Sequence, residues 1–158
     1  MTDKEISKII DDVTYIMPVF FKKMFRVQNE ILCDKEVSKP HLEVLFSLKR
    51  EGMSTMSSLG KALAVSKPNI TVHVDRLIEL NLVKRVFDKN DRRIIYIQLT
   101  GDGNAFIENY KENYKKYIKE KLVKFDDEDF ILLQSIMDNM KILLSKVNPE
   151  ENIKCFQN

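Results

Sequence analysis

Apolar residues recur at three- and four-residue spacing along most of this chain, which is the period of an amphipathic helix. The pattern predicts a first helix over residues 3–31 and a second one that follows Ser38 and ends near Glu51. Pro18 falls inside the first helix and predicts a kink or a break, because proline lacks the amide N–H and crowds the preceding turn. A further helix is predicted after each of two capping residues, Thr100 and Asp126.

The middle of the chain predicts two short helices joined by a tight link. Ser57 is the predicted N-cap of the first, over residues 58–63, and Ser66 is the predicted N-cap of the second, which ends near Leu80. The second helix has an apolar stripe at i, i+3, i+4 and i+7, formed by Ile70, His73, Val74 and Leu77. The residues left facing outward are Ser66, Lys67, Asn69, Thr71, Val72 and Asp75.

Two strand-like runs, residues 82–87 and 94–99, enclose a charged tip with the sequence Asp-Arg-Arg at positions 91–93. They predict a hairpin directly after the helix pair. We therefore expect a mainly α fold with a minor β part: a winged helix-turn-helix over residues 38–103 with a two-stranded wing. Long N- and C-terminal helices flank it.

Positive charge is concentrated in the same region. Residues 61–93 hold eight cations against four anions, which is +4, whereas the whole chain carries a net charge of +2. A basic segment in a chain whose other residues are together neutral to acidic is typical of a surface that binds nucleic acid. A recognition helix would bring five residues to the major groove, where hydroxyl and amide groups bind phosphates or base edges: Ser66, Lys67, Pro68, Asn69 and Thr71.

Residues 57–103 resemble the winged-helix core of the MarR family of bacterial transcriptional regulators. The similarity rests on SSLGKALAVSKP at 57–68, VDRL at 74–77, LVKR at 82–85, DRR at 91–93, Leu99-Thr100 and Gly103. The resemblance implies a homodimer whose dimerisation helices come from residues 1–37 and 104–158. It further implies binding to a pseudo-palindromic operator in double-stranded DNA, as a repressor that a small aromatic or apolar ligand, or an oxidant, releases.

The resemblance also implies roles within the wing. Asp91 would orient Arg93, which would enter the minor groove, while Lys89 and Arg92 would meet phosphates. A carboxylate that holds a long side chain in one geometry lowers the entropy cost of ordering it, and arginine suits a narrow minor groove. The alternative interpretation of the two arginines is a solvated turn.

Val72 departs from the family pattern, since many relatives have a cation or a polar residue there. It either touches a thymine methyl group or points to solvent. The low net charge and Val72 leave open a second function, that of a winged-helix protein-interaction adaptor that does not bind DNA.

Two groups of residues in the N-terminal part are candidates for sensing a signal. Phe20, Phe21, Met24 and Phe25 can line an effector site, although aromatic residues at helical spacing also fit ordinary core packing. Cys33 is a candidate redox sensor, because some MarR-type regulators sense oxidants through an N-terminal cysteine. An unreactive cysteine is the alternative, since reactivity requires exposure and a lowered pKa of the thiol.

The other motifs of the sequence predict that the protein is not an enzyme and that it binds no cofactor and no metal. We find no phosphate-binding glycine loop and no catalytic set of Ser, His and Asp. His41 and His73 are far apart in the sequence without a nearby cysteine pair, and His73 falls on a predicted buried stripe. The N-terminus lacks the layout of a signal peptide, and no apolar run approaches the roughly 18 residues of a membrane span. We expect a cytoplasmic protein.

Overall fold

The computed structural model describes residues 2–25 and 36–147. Its helices are α1 (Asp3–Asp11), α2 (Met17–Phe25), α3 (Lys39–Glu51), α4 (Met56–Ala62), α5 (Lys67–Glu79), α6 (Gly101–Leu122) and α7 (Asp127–Val147). Its strands are β1 (Ser54–Thr55), β2 (Val83–Phe87) and β3 (Ile95–Leu99). The chain divides into two compact units, Met1–Lys116 and Tyr117–Asn158. Within the described ranges, none of the helices has the length and apolarity that a membrane crossing needs.

The first helical segment passes Pro18 without a break. Between α1 and α2, Asp12–Ile16 form a π-helical turn, in which the N–H of Met17 donates to the carbonyl of Asp12. A widened turn takes one extra residue directly before the proline, which has no N–H to donate. Of the predicted kink or break, the break does not occur, and the helical type changes locally instead. The part of this predicted helix after residue 25 lies outside the described residues.

The hydrophobic core is formed by the winged helix-turn-helix, by the residue directly before it and by the start of α6. Its buried apolar members are Val37, Leu42, Val44, Leu45, Leu48, Leu59, Ile70, Val74, Leu77, Leu82, Val83, Ile97 and Ile107. Three of the four residues on the predicted stripe of α5 are among them, and the fourth, His73, is half-buried. One side of α5 is thus packed in the core, and its other side faces solvent.

The sheet has three strands in the order β1-β3-β2, all antiparallel. The predicted hairpin is confirmed, and β1 adds a third strand through the pairing of Ser54 with Ile97. Because Thr55 is already extended in β1, it becomes the N-cap of α4, and its Oγ1 accepts the N–H of Ser58 at 3.2 Å. The prediction of Ser57 as the cap was wrong, since a two-residue strand leaves no alternation in the sequence.

The base of the hairpin is fixed to α6 by Thr100. Its Oγ1 donates to the carbonyl of Asn81 at 2.6 Å and accepts the N–H of Gly103 at 2.9 Å. Asn81 has φ of 56°, a left-handed conformation that asparagine adopts more readily than most residues. The predicted cap of α6 is confirmed, and it also links the end of α5 to the end of β3.

The last helix begins where the sequence predicts. Asp126 Oδ1 accepts the N–H of Asp129 at 2.9 Å, and Asp129 Oδ2 accepts the N–H of Asp126 at 3.4 Å. This reciprocal pair satisfies amide groups that a helix N-terminus otherwise leaves without partners.

Candidate nucleic-acid interface

The N-terminal half of α5 presents the outward-facing residues predicted for a recognition helix. Ser66, Lys67, Pro68 and Asn69 are exposed, while Thr71 is half-buried. Ser66 takes the extended N-cap conformation, and its side chain makes no capping bond to the helix. Its hydroxyl and the backbone N–H groups of Lys67 and Asn69 can therefore bind an anion, which the positive end of a helix also favours.

Thr71 offers less to a ligand than its position suggests. Its Oγ1 donates to the carbonyl of Lys67 at 2.9 Å, one turn earlier in the same helix. Because the hydroxyl proton is used within the helix, the side chain keeps only its acceptor lone pairs and its methyl group for an outside partner. The side-chain donors on this face are then the hydroxyl of Ser66, the amine of Lys67 and the amide of Asn69.

The wing tip holds Arg93 through Asp91. Asp91 Oδ1 accepts the backbone N–H of Arg93 at 3.0 Å and its Nε at 3.1 Å, and Oδ2 accepts Nη2 at 3.2 Å. These hydrogen bonds, first from the Arg93 side chain and then from its backbone, lower the pKa of Asp91. The Arg93 side chain is nevertheless 91% exposed, so its guanidinium is oriented while remaining open to a partner.

Asp88 organises the other half of the tip, a role that our sequence analysis missed. Its Oδ1 accepts the N–H of Asn90 at 2.8 Å and that of Asp91 at 3.0 Å, and these bonds lower its pKa. The signal was present in the sequence, because aspartate side chains in turns often accept the backbone N–H two residues on. The turn closes with the N–H of Ile94 donating to the carbonyl of Asp91 at 2.9 Å.

Besides Arg93, two further arginines of the basic segment are engaged in ion pairs within the fold. Arg85 on β2 lies 2.6 Å from Asp75 on α5, so the pair joins the wing directly to the recognition helix. Arg76 contacts Glu79 at 2.8 Å and Glu36 at 3.2 Å. The remaining cations of the segment are exposed and lie at the start of α5, on α4, on β2 and at the wing tip: Lys61, Lys67, Lys84, Lys89, Arg92 and Arg93.

A pair of histidines lies behind the recognition helix. His41 on α3 and His73 on α5 meet edge to face, with 5.2 Å between ring centroids. His41 is buried, and its Nδ1 accepts the N–H of Ser38 at 3.0 Å. Burial, and then the nearby His73 and Arg76, lower the pKa of His41. Over the stretches that the structure describes, no group of three or more His, Cys, Asp or Glu side chains is placed to hold a metal ion.

The candidate sensing residues are only partly described. Phe20 is half-buried on α2. The side chains of Phe21, Met24 and Phe25 lie outside the described residues, and so does Cys33.

The MarR family model matches residues 37–95. The chain carries a winged helix-turn-helix domain of the MarR family. The matched range begins before α3 and reaches the first residue of β3, so it includes the whole of α5 and the whole wing tip. The exposed residues of α5 and the Asp91–Arg93 pair thus lie inside the part of the chain that defines the family.

Two transcriptional regulators align with the chain beyond this domain. The uncharacterized HTH-type transcriptional regulator YpoP of Bacillus subtilis (strain 168) is 27% identical over 136 residues, 84% of this chain and 96% of YpoP. The HTH-type transcriptional repressor MdtR of the same organism is 24% identical over 151 residues, 96% of this chain and 97% of MdtR.

A solved structure shares the fold. A mutant of S. aureus MepR bound to an oligodeoxyribonucleotide has a TM-score of 0.65 and 18% identity, over 84% of this chain and 97% of that one. The chain is therefore similar to MarR-family transcriptional regulators over residues 37–95, and it has the winged helix-turn-helix fold of this solved structure.

Proposed function

We propose that this protein is a homodimeric repressor of transcription that binds a pseudo-palindromic operator in the cytoplasm. In each protomer α5 lies in the major groove and the wing tip lies in the adjacent minor groove. One observation carries the proposal: Asp91 orients the exposed guanidinium of Arg93 at the end of a hairpin that the Arg85–Asp75 pair joins to α5. A fixed arginine beside a recognition helix suits the negative potential of a narrow minor groove.

Each exposed polar residue then has a distinct role. Lys67 and Asn69 reach phosphates or base edges near the start of α5, together with Ser66 and the ring of Pro68. Thr71 accepts rather than donates a hydrogen bond, because its proton is already engaged. Lys89 and Arg92 contact phosphates beside the wing tip, where their charge adds affinity without sequence information.

The flanking helices support the dimer. Residues 1–37 and 104–158 are the proposed dimerisation helices, and both parts expose apolar side chains. In the N-terminal part these are Ile9, Ile10, Val13, Ile16 and Val19, and on α7 they are Phe130, Ile131, Leu132, Ile142, Leu143 and Leu144. Exposed apolar surface of this extent indicates a partner, and a two-fold pairing of identical chains suits a pseudo-palindromic site.

The repressor role is supported by a relative. MdtR is a repressor by name and aligns with 96% of this chain. For release from DNA we propose an aromatic or apolar ligand near Phe20, Phe21, Met24 and Phe25, or oxidation of Cys33. Addition of one equivalent of peroxide to wild type and to Cys33→Ser tests the second route: only wild type should then lose operator affinity.

The central experiment is a titration of the DNA upstream of the protein's own gene, read by gel shift and by fluorescence anisotropy. We expect two chains per duplex and an affinity that falls steeply between 50 mM and 200 mM salt, since counterions are released from phosphates. Multi-angle light scattering of the free protein should give twice 18.6 kDa. A monomer at micromolar concentration would contradict the dimer, and the absence of any shift at low salt would contradict DNA binding.

A further inference from the structure

Val72 is a large apolar side chain on the exposed face of α5. It is 65% exposed, whereas Ile70, Val74 and Leu77 of the same helix are buried. A β-branched residue in the middle of a helix also loses rotamer freedom, so helix formation favours alanine or lysine there. Neither core packing nor helix propensity accounts for a valine at this position.

The neighbours of Val72 place it on the proposed DNA-binding face. It lies four residues after Pro68 and three after Asn69, and side chains at these spacings share one face of a helix. Both neighbours are exposed. With the first turns of α5 in the major groove, Val72 therefore faces base edges rather than the phosphate backbone.

The chemistry of a base edge limits what an apolar side chain can meet there. A polar group of a base pressed against valine would lose its water without gaining a partner. The major groove displays one apolar group, the 5-methyl group of thymine. Thr71, next to Val72, donates its proton to the carbonyl of Lys67 and so brings no hydroxyl donor into the same space.

We propose that Val72 reads the 5-methyl group of one thymine in each half-site of the operator. The inference rests on the proposed function, because it requires α5 in the major groove. It adds a specificity element that works by apolar contact, beside the polar contacts of Lys67 and Asn69.

The test uses duplexes recovered by selection of wild-type protein on a random-sequence library. Each thymine of the half-site is replaced in turn by uracil, which has the same hydrogen-bonding groups without the methyl group. We expect the affinity to fall roughly fourfold per half-site at one position, the factor for burial of one methyl group, and to stay unchanged at the others.

The Val72→Ala variant identifies the reader of that methyl group. Alanine favours the helix, so the variant should fold, and its affinity ratio for thymine over uracil at the sensitive position should fall to about one. Val123→Ala is the matched control, because Val123 is 73% exposed and lies outside the winged helix-turn-helix. It should keep the wild-type ratio.

The outcomes separate the two proposals. A folded protein that selects no duplex overturns the proposed function, and the thymine contact with it. A protein that selects a duplex but binds thymine and uracil equally at every position overturns only the thymine contact. If Val72→Ala keeps the full affinity ratio for thymine over uracil, the thymine contact is also overturned, because the methyl group would then contact another residue.

Discussion

Asp91 and Arg93 are joined by three hydrogen bonds between residues only two positions apart, one through the backbone and two through the guanidinium. Because the arginine is almost fully exposed, the pair contributes little to the free energy of unfolding. Its effect is on geometry, since the carboxylate restricts a long side chain to one orientation before any partner arrives.

Replacement of Arg93 by alanine should weaken operator binding by about 1–3 kcal/mol per protomer, a typical loss for one specific arginine contact. Fluorescence anisotropy on the selected duplex measures it. Arg92→Ala is the matched control, and we expect a loss that is similar on all sequences and that lowers the salt slope by about 1. Unchanged affinity in Arg93→Ala would remove the minor-groove assignment.

Replacement of Asp91 by asparagine should lower specificity while DNA binding persists. Arg93 keeps its charge but must be ordered at the moment of binding, at a cost of about 0.5–1.5 kcal/mol. The quantity to measure is the ratio of affinities for the selected duplex and for a scrambled duplex of equal length. We expect this ratio to fall, and an unchanged ratio would show that Asp91 does not position the arginine.

Gly103→Ala should destabilise the fold by about 1–3 kcal/mol, the usual cost of forcing an extra methyl group into a packed site. A Cβ at Gly103 would collide with the backbone carbonyl of Leu82 and crowd the side chain of Leu99. Gly101→Ala is the matched control, because a Cβ there meets nothing within 4 Å and alanine favours a helix. In urea unfolding, Gly103→Ala should have a lower midpoint than Gly101→Ala. Equal midpoints would contradict the close approach of Gly103 to the backbone of Leu82.

The free energy of unfolding should fall as the pH decreases through the range below 6.5. In the folded protein the pKa of His41 is lowered from 6.5, so the unfolded state takes up a proton that the folded state resists. The contribution of His41 is fully present above pH 6.5 and is lost as the pH falls toward its lowered pKa.

His41→Gln tests this prediction and keeps the helix cap. Glutamine at the third position of a helix can accept the N–H of the capping serine, as His41 does with Ser38. Urea unfolding at pH 7 and at pH 5 should show a smaller loss of stability in the variant than in wild type. Equal losses would show that another group accounts for the pH dependence.

The sequence alone determined where most helices begin and end. Ser38, Ser66, Thr100 and Asp126 precede their helices as predicted, and Gly52 follows α3 with a positive φ of 80°. These signals can be read because residue preferences at helix ends are local, even at Ser66, whose side chain makes no capping bond. The charged hairpin could also be predicted from the sequence, because two strand-like apolar runs on either side of a short polar tip have few other ways to pair.

Only the tertiary structure decided the features that join distant parts of the chain. Strand β1 exists because Ser54 meets Ile97, and this pairing moves the start of α4 to Met56. Arg85 meets Asp75 only because the wing folds back along α5, and Asp75 had been interpreted as simply outward-facing. Residues remote in sequence come together when the whole core packs, and no local pattern of apolar and polar positions encodes their distance.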